Sequence, residues 1–308
     1  PKTVTGVTST DGNICINEVD QNLTVSQAVS APKGSVGLQA GQDIILNAAV
    51  TADNTVSLLA GGTVSGASTV GSATTDAVVI KTAGDIGSTG TALNINAGKL
   101  AAESTAGNVY LQTTGNVVVT ELNLVNCGTN DLVSGIKAED VVRLQVAGDL
   151  TVGETGKPAV ISTRGTQTTD SVTLTANGNV IDNNGTGVAA VNTAGNLVVT
   201  STTGSVSGGV DVNGEPTAPF EVEASGLQAN AAKGIAVKDL DTANNGLNIN
   251  GTSESADGNV CVQTAGVLTV SQSVTAAETT ADKGKIALRG EKGVVVNAAI
   301  SADKKVSV

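Results

Sequence analysis

The chain has 308 residues and a formal net charge of −12, with no His, Met or Trp, one Tyr and one Phe, yet it is 40% hydrophobic. Aromatics at 1% exclude a core built on large rings, so the apolar content, carried by Val, Ile, Leu and Ala, requires a narrow and regular aliphatic interior. Negative charge without a Lys/Arg cluster argues against nucleic acid and anionic membrane as partners, and the absence of His removes the usual general base and the commonest metal ligand.

The opening "PKTVTGV" lacks the basic and apolar regions of a signal peptide, so any export signal is expected outside this chain. No apolar run approaches the roughly 20 residues that span a bilayer, and no membrane insertion is expected. A signature then recurs: Gly, followed by Asn or Asp, followed by an aliphatic residue. It stands at Gly12-Asn13-Ile14, Gly84-Asp85-Ile86, Gly107-Asn108-Val109, Gly115-Asn116-Val117, Gly148-Asp149-Leu150, Gly178-Asn179-Val180, Gly195-Asn196-Leu197 and Gly258-Asn259-Val260. Gly and Asn/Asp tolerate positive φ, so each pair is predicted to turn a tight corner from which a strand starts.

Between corners the chain alternates apolar and polar residues, as in "DIILNAAVTA" (43–52), "NVVVTELNLV" (116–125), "VVRLQVAG" (141–148) and "SVTLTANG" (171–178). No helical periodicity stands out. Short strands and corners without long connections predict stacked coils of roughly 20–25 residues, an all-β parallel β-helix (β-solenoid). At roughly 22 residues per coil and ~4.8 Å per coil, about 14 coils are expected in one continuous solenoid over residues 1–308. The stretches 208–226, with the only Phe, and 153–160 read as protruding loops.

A longer repeat crosses this pattern. "DGNICI" (11–16) returns as "DGNVCV" (257–262), "LTVSQ" (23–27) returns unchanged at 268–272, and residues 33–58 align with 283–308 without a gap. Placing Ile44, Leu46, Ala48 and Val50 on one strand face puts Val294, Val296, Ala298 and Ile300 on the same face of the second copy. The copies differ in length where "SAP" (30–32) becomes "TAAETTAD" (275–282), a change confined to a polar corner. A unit of about 250 residues is therefore expected to be duplicated in a longer array, with this chain ending inside its second copy.

Stretches such as "GSVGLQAGQDIILNAAVTADNTVSLLAGGTVSG" (34–66) and "NGNVIDNNGTGVAAVNTAGNLVVTSTTGSVSG" (177–208) resemble the shaft of filamentous-haemagglutinin-like large exoproteins and adhesins of Gram-negative bacteria. The resemblance is strongest at 33–64, 107–120, 171–206 and 257–308. It implies a right-handed β-helix, export across the outer membrane, and a rod-like role at the cell surface or in the extracellular medium. The family's N-terminal secretion domain is not recognisable in this chain.

Few residues offer chemistry. Glu221 and Glu223 in "PFEVEAS" lie on one side of an extended strand and form the best carboxylate pair. With only Phe220 near as an aromatic platform, a solvated acidic face is the better reading. The segments "DLDTANNG" (239–246) and "DNNG" (182–185) carry calcium-type oxygen ligands but match no calcium loop, and corner roles account for them. Cys15 and Cys261 occupy equivalent places in the two copies, roughly 11 coils or ~50 Å apart, so they are not expected to pair. Cys127 is expected to be equally isolated, leaving small apolar roles or cross-links between chains. Thr-rich strands at 23–25, 173–175 and 268–270 are too irregularly spaced for an ice-binding face, and the sequons at Asn22, Asn184 and Asn250 are those chance supplies in such a composition.

No catalytic, cofactor-binding or metal-binding residue is therefore assigned, and no cofactor. The expected function is a non-catalytic shaft segment of an exported bacterial adhesin, with end-to-end contacts to further repeats or copies. Any binding of receptors on host or neighbouring cells would use regions outside this chain. The alternative is a repeating subunit of a self-assembling extracellular filament, sheath or matrix, since exposed strand edges invite pairing.

Overall fold

The computed structural model describes residues 1–241, 245–279 and 283–308, so residues 242–244 of the Asn-rich segment and 280–282 of the polar insertion lie outside the described residues. Among the described residues the secondary structure is all strand, with no helix. The chain forms two compact units, Pro1–Ala147 and Gly148–Val308. Each is a parallel β-helix.

In the first unit, strands pair in parallel with the strand one coil later. Ile14–Glu18 pairs with Val36–Ala40, that with Thr55–Ala60, that with Ala77–Thr82, and that with Lys99–Ser104. The remaining sides of each coil supply the long connection that parallel pairing requires. Period-two alternation then sends one set of residues inward and stacks it in register. Ile14, Val36, Val56, Val78 and Leu100 form one inward ladder, and Ile16, Leu38, Leu58, Ile80 and Ala102 form another. Apart from Ile16, all of these are buried.

The predicted strand 43–52 is in fact two strands, Ile44–Leu46 and Val50–Ala52, separated by a corner. Ile44, Leu46 and Val50 are fully buried as expected, but Ala48 sits half-buried in that corner rather than on a strand face. The coil has to bend here to close. Alternation across a three-residue corner resembles a continuing strand.

The Gly–Asn/Asp corners form for a different reason from the one predicted. None of the eight signature glycines has positive φ. At Gly84, Gly107, Gly178, Gly195 and Gly258 close approach between coils excludes a side chain instead, whereas Gly115 has open space: a Cβ on Gly107 would lie 2.5 Å from the carbonyl carbon of Gly84, one coil earlier, and one on Gly178 would collide with the Asp149 carboxylate. At most of these positions the Asn or Asp that follows the glycine satisfies backbone on the next coil, whereas Asn196 donates to the Thr168 carbonyl and accepts from the Asn250 side chain. Asn13 Oδ1 accepts the Ser35 N–H at 2.8 Å, Asp85 Oδ1 accepts that of Asn108 at 2.6 Å, and Asn108 Oδ1 accepts that of Val141 at 2.9 Å. In the second unit Asp149 and Asn179 do the same for Asn179 and Ser205. Corner amides that would otherwise lack partners are thereby paired.

One segment of the first unit leaves the coil. Glu121–Asn126 and Thr129–Ser134 pair antiparallel around Cys127 and Gly128, with φ of 39° and 97°. Two consecutive residues at positive φ fit the two-residue hairpin turn whose twist matches its strands. The predicted coil strand 116–125 thus ends at Val119, and its second half is a hairpin arm.

In the second unit, Ser171–Ala176, Val191–Ser201 and Phe220–Ala231 stack in register, as do Ile235–Asp239, Val260–Thr264 and Lys285–Gly290. Within 208–226, Gly209–Val210 and Pro216–Ala218 form a small antiparallel hairpin, whereas Phe220 begins a long strand and is fully buried. Within 153–160, Glu154 and Lys157 exchange backbone hydrogen bonds at 3.1 and 2.7 Å around a tight turn.

Leu58 is wholly inside and flanked by Leu38 and Ile80 on adjacent coils. Leu58→Ala should cost about 2–5 kcal/mol of unfolding free energy, whereas Thr51→Ala on an outward face, which loses one hydrogen bond to Ser30 Oγ, should cost no more than about 1 kcal/mol. Urea titrations of both variants check this, and equal effects would contradict the inward ladder.

Candidate functional site

The hairpin of the first unit lies against an outward face that its sequence has prepared. The outward positions of the five stacked strands are Cys15, Gly37, Ser57, Val79 and Ala101, all in register. Outward residues of a solenoid are ordinarily polar, yet these are small or apolar. Leu124 and Val133 of the hairpin pack on Val79 and Ala101, with Leu59 and Leu122 at the margin. The Val125 N–H donates to Ser57 Oγ at 3.3 Å, and Lys81 donates to the Asp131 carboxylate while also standing 3.7 Å from Glu103.

At the tip, Cys127 is bonded to Cys15, with Cα atoms 5.4 Å apart across 112 residues of sequence. The expectation that Cys127 would be isolated is therefore wrong. It counted coils along the axis and took Cys127 to sit in its own coil, whereas the hairpin carries that cysteine back across the stack. Cys261 is a free, half-buried thiol. The signals for the hairpin were present: Cys127–Gly128 between two alternating six-residue runs, and the unbroken apolar stretches "AVVI" (77–80) and "LAA" (100–102), where a one-sided strand should alternate.

The carboxylates gather in the second unit. Glu221 and Glu223 do share the outward side of Phe220–Ala231, as the strand period requires. Glu221 is not solvated, however: it is 3% exposed, accepts the Gly187 N–H and pairs with Lys238 Nζ at 2.8 Å. The loop at 183–190 folds over it, which is why the expected acidic surface is absent there. Glu223 Oε2 accepts from Asn192 Nδ2 at 3.0 Å.

Asp182, the first residue of "DNNG", is also buried, and its oxygens accept the N–H groups of Asn184 and Glu221, each at 3.0 Å. Burial, helped by the neighbouring Glu221, raises its pKa to about 6. Asp239 accepts from Thr264 Oγ1 at 2.7 Å, and burial raises its pKa to about 6 as well. Asp241 accepts the Gly246 N–H at 2.8 Å through one oxygen, while its other oxygen is buried with no hydrogen-bond partner among the described residues.

These groups line two clefts. One, of about 490 Å³, includes Asp182, Glu221, Lys238 and Gln263. The other, of about 320 Å³, includes Arg164, Asn192, Glu223, Asp239 and Asp241. Most of the carboxylate oxygens there already hold backbone amides, hydroxyls, a side-chain amide or a lysine. Among the described residues no three His, Cys, Asp or Glu side chains converge to hold a metal ion.

Of the sequon residues, Asn22 accepts the Asp43 N–H at 3.1 Å and Asn184 brackets the backbone of Ala159 at 2.8 Å. Thr173 stacks on Val198, which stacks on Gln228, so threonines do not form a ladder there. No protein-family model, curated protein or solved structure matches the chain.

Asp182 and Asp239 fix a sign for the pH response. Their folded pKa of about 6 lies above the ~3.9 of an unfolded Asp, so the fold takes up their protons first and gains stability as pH falls through 6. Urea midpoints should rise between pH 7.5 and pH 5, with about 1 kcal/mol from each group. The double variant D182N/D239N should lose most of that rise; an unchanged rise would show that other groups cause it.

Proposed function

We propose that this chain is a non-catalytic structural segment of the shaft of a large exported adhesin of the filamentous-haemagglutinin-like kind. The observation that carries this reading is the use made of side chains in both units: aliphatic ladders fill the interior, and the acidic and Asn side chains tie successive coils. Stacked coils bound by continuous backbone pairing carry load along their axis and tolerate change at corners. The Cys15–Cys127 bridge supports an oxidising, extracytoplasmic location, where such bonds persist. Receptor binding falls to regions beyond this chain, and further repeats or copies are its axial neighbours.

The mass of the native polypeptide, with negative-stain images of the same material, tests this. A chain several times heavier than 30.1 kDa, seen as single thin rods, is the expected result. A chain near that mass built into long or thick fibres would overturn the shaft reading in favour of a self-assembling filament subunit.

A further inference from the structure

Asp239 and Asp241 keep more charge out of water than a corner requires. They are 2% and 9% exposed, and both line the cleft of about 320 Å³ in the second unit. The cleft lies within the stack, since Ile235–Asp239 is followed by the coils of Val260–Thr264 and Lys285–Gly290. Asp241 Oδ1 accepts the Gly246 N–H at 2.8 Å, but its Oδ2 is buried with no hydrogen-bond partner among the described residues. Gly266 stands against that oxygen, where a Cβ would come within 2.2 Å of it. Arg164 lines the same cleft without donating to it.

A buried carboxylate oxygen without a donor is strongly unfavourable unless a water or a cation meets it. The second carboxylate decides between the two. Asp239 accepts from Thr264 Oγ1 at 2.7 Å and from the Ala224 N–H at 3.5 Å, which leaves about two of its roughly four lone pairs open. Burial, with the Asp241 charge adding to it, raises the Asp239 pKa, and the groups that pull it down are hydrogen-bond donors rather than cations. Two neighbouring buried carboxylates thus lack a paired Lys or Arg among the described residues, and water supplies no positive charge.

We propose that these two carboxylates bind a calcium ion in the cleft, with Asp241 Oδ2 as a direct ligand. The donor chemistry selects the ion. The side-chain acceptors are all oxygens, which suits a hard cation. Asn192 and Asn245 line the cleft and offer amide oxygens, and water fills the remaining positions. Calcium accepts roughly six to eight such ligands in irregular arrangements, whereas magnesium demands a near-ideal octahedron. Two carboxylates place the dissociation constant at about 10⁻⁴–10⁻³ M, the range of extracellular modules. The ion joins the end of Ile235–Asp239 to the segment that leads into Leu247–Ile249. This inference stands independently of the shaft reading.

The test titrates calcium chloride into the chelator-treated protein by isothermal calorimetry, with circular dichroism to verify the fold. One saturable site in that affinity range is expected, with at least about tenfold preference over magnesium. D241N should weaken calcium binding by at least about tenfold, whereas D20N, at an exposed corner of the first unit, should leave it unchanged. Absence of saturable binding, several equivalent weak sites, or equal affinity in D241N overturns the proposal. Hydrogen exchange of the unsubstituted protein gives a second reading that needs no variant. Calcium should slow exchange at Gly246 and Leu247 and leave the first unit as it was; slowing confined to other segments also overturns the proposal.

Discussion

Parallel strands lie ~4.8 Å apart, so in a stack of coils every side chain sits directly on its counterpart one turn earlier. That single constraint governs the rest of the structure. Inside, it demands aliphatic residues on aliphatic residues, which Val56, Leu58 and their neighbours above and below provide. At the corners it brings backbone so close to backbone that Gly107 has no room for a Cβ. It also sets the job of the adjacent Asn or Asp, whose side-chain oxygen reaches the amide one coil on.

The same constraint explains the hairpin. Small outward residues in register make a strip with neither charge nor bulk, and leaving Val79 and Ala101 to water would forfeit the burial that Leu124 and Val133 supply. Lys81, flanked by Glu103 and Asp131, adds a charged edge to this apolar contact. The disulfide then holds the tip. In the second unit, buried Glu221, Asp182 and Asp239 play the corresponding tying role through hydrogen bonds, and the raised proton affinity of Asp182 and Asp239 follows from their place in the stack.

Much of the fold was legible because a solenoid repeats its rules. Composition pointed to an aliphatic interior, the Gly–Asn/Asp signature marked most of the corners, though Gly195–Leu197 lies within the strand Val191–Ser201, and alternation identified Ile44, Leu46 and Val50 as inward residues. What escaped depended on contacts between residues far apart in sequence. The glycines were attributed to dihedral freedom because a single sequence shows which residues tolerate positive φ, but not how near the next coil comes. Glu221 was read as solvated because the covering loop at 183–190 belongs to another coil. Cys127 was placed in the stack because 116–125 alternates as well in a hairpin arm as in a coil strand; only the apolar outward residues at Val79 and Ala101 announced that something covers them.

Disulfide mapping of the monomeric protein tests the stacking and the hairpin together, since only coils in this register, crossed by a hairpin running back along them, bring residues 112 positions apart into contact. After alkylation and digestion without reduction, the account predicts one linked pair, Cys15 with Cys127, and an alkylated Cys261. Free, alkylated Cys15 and Cys127 in protein isolated under oxidising conditions, or a Cys15–Cys261 bridge within one chain, would contradict it.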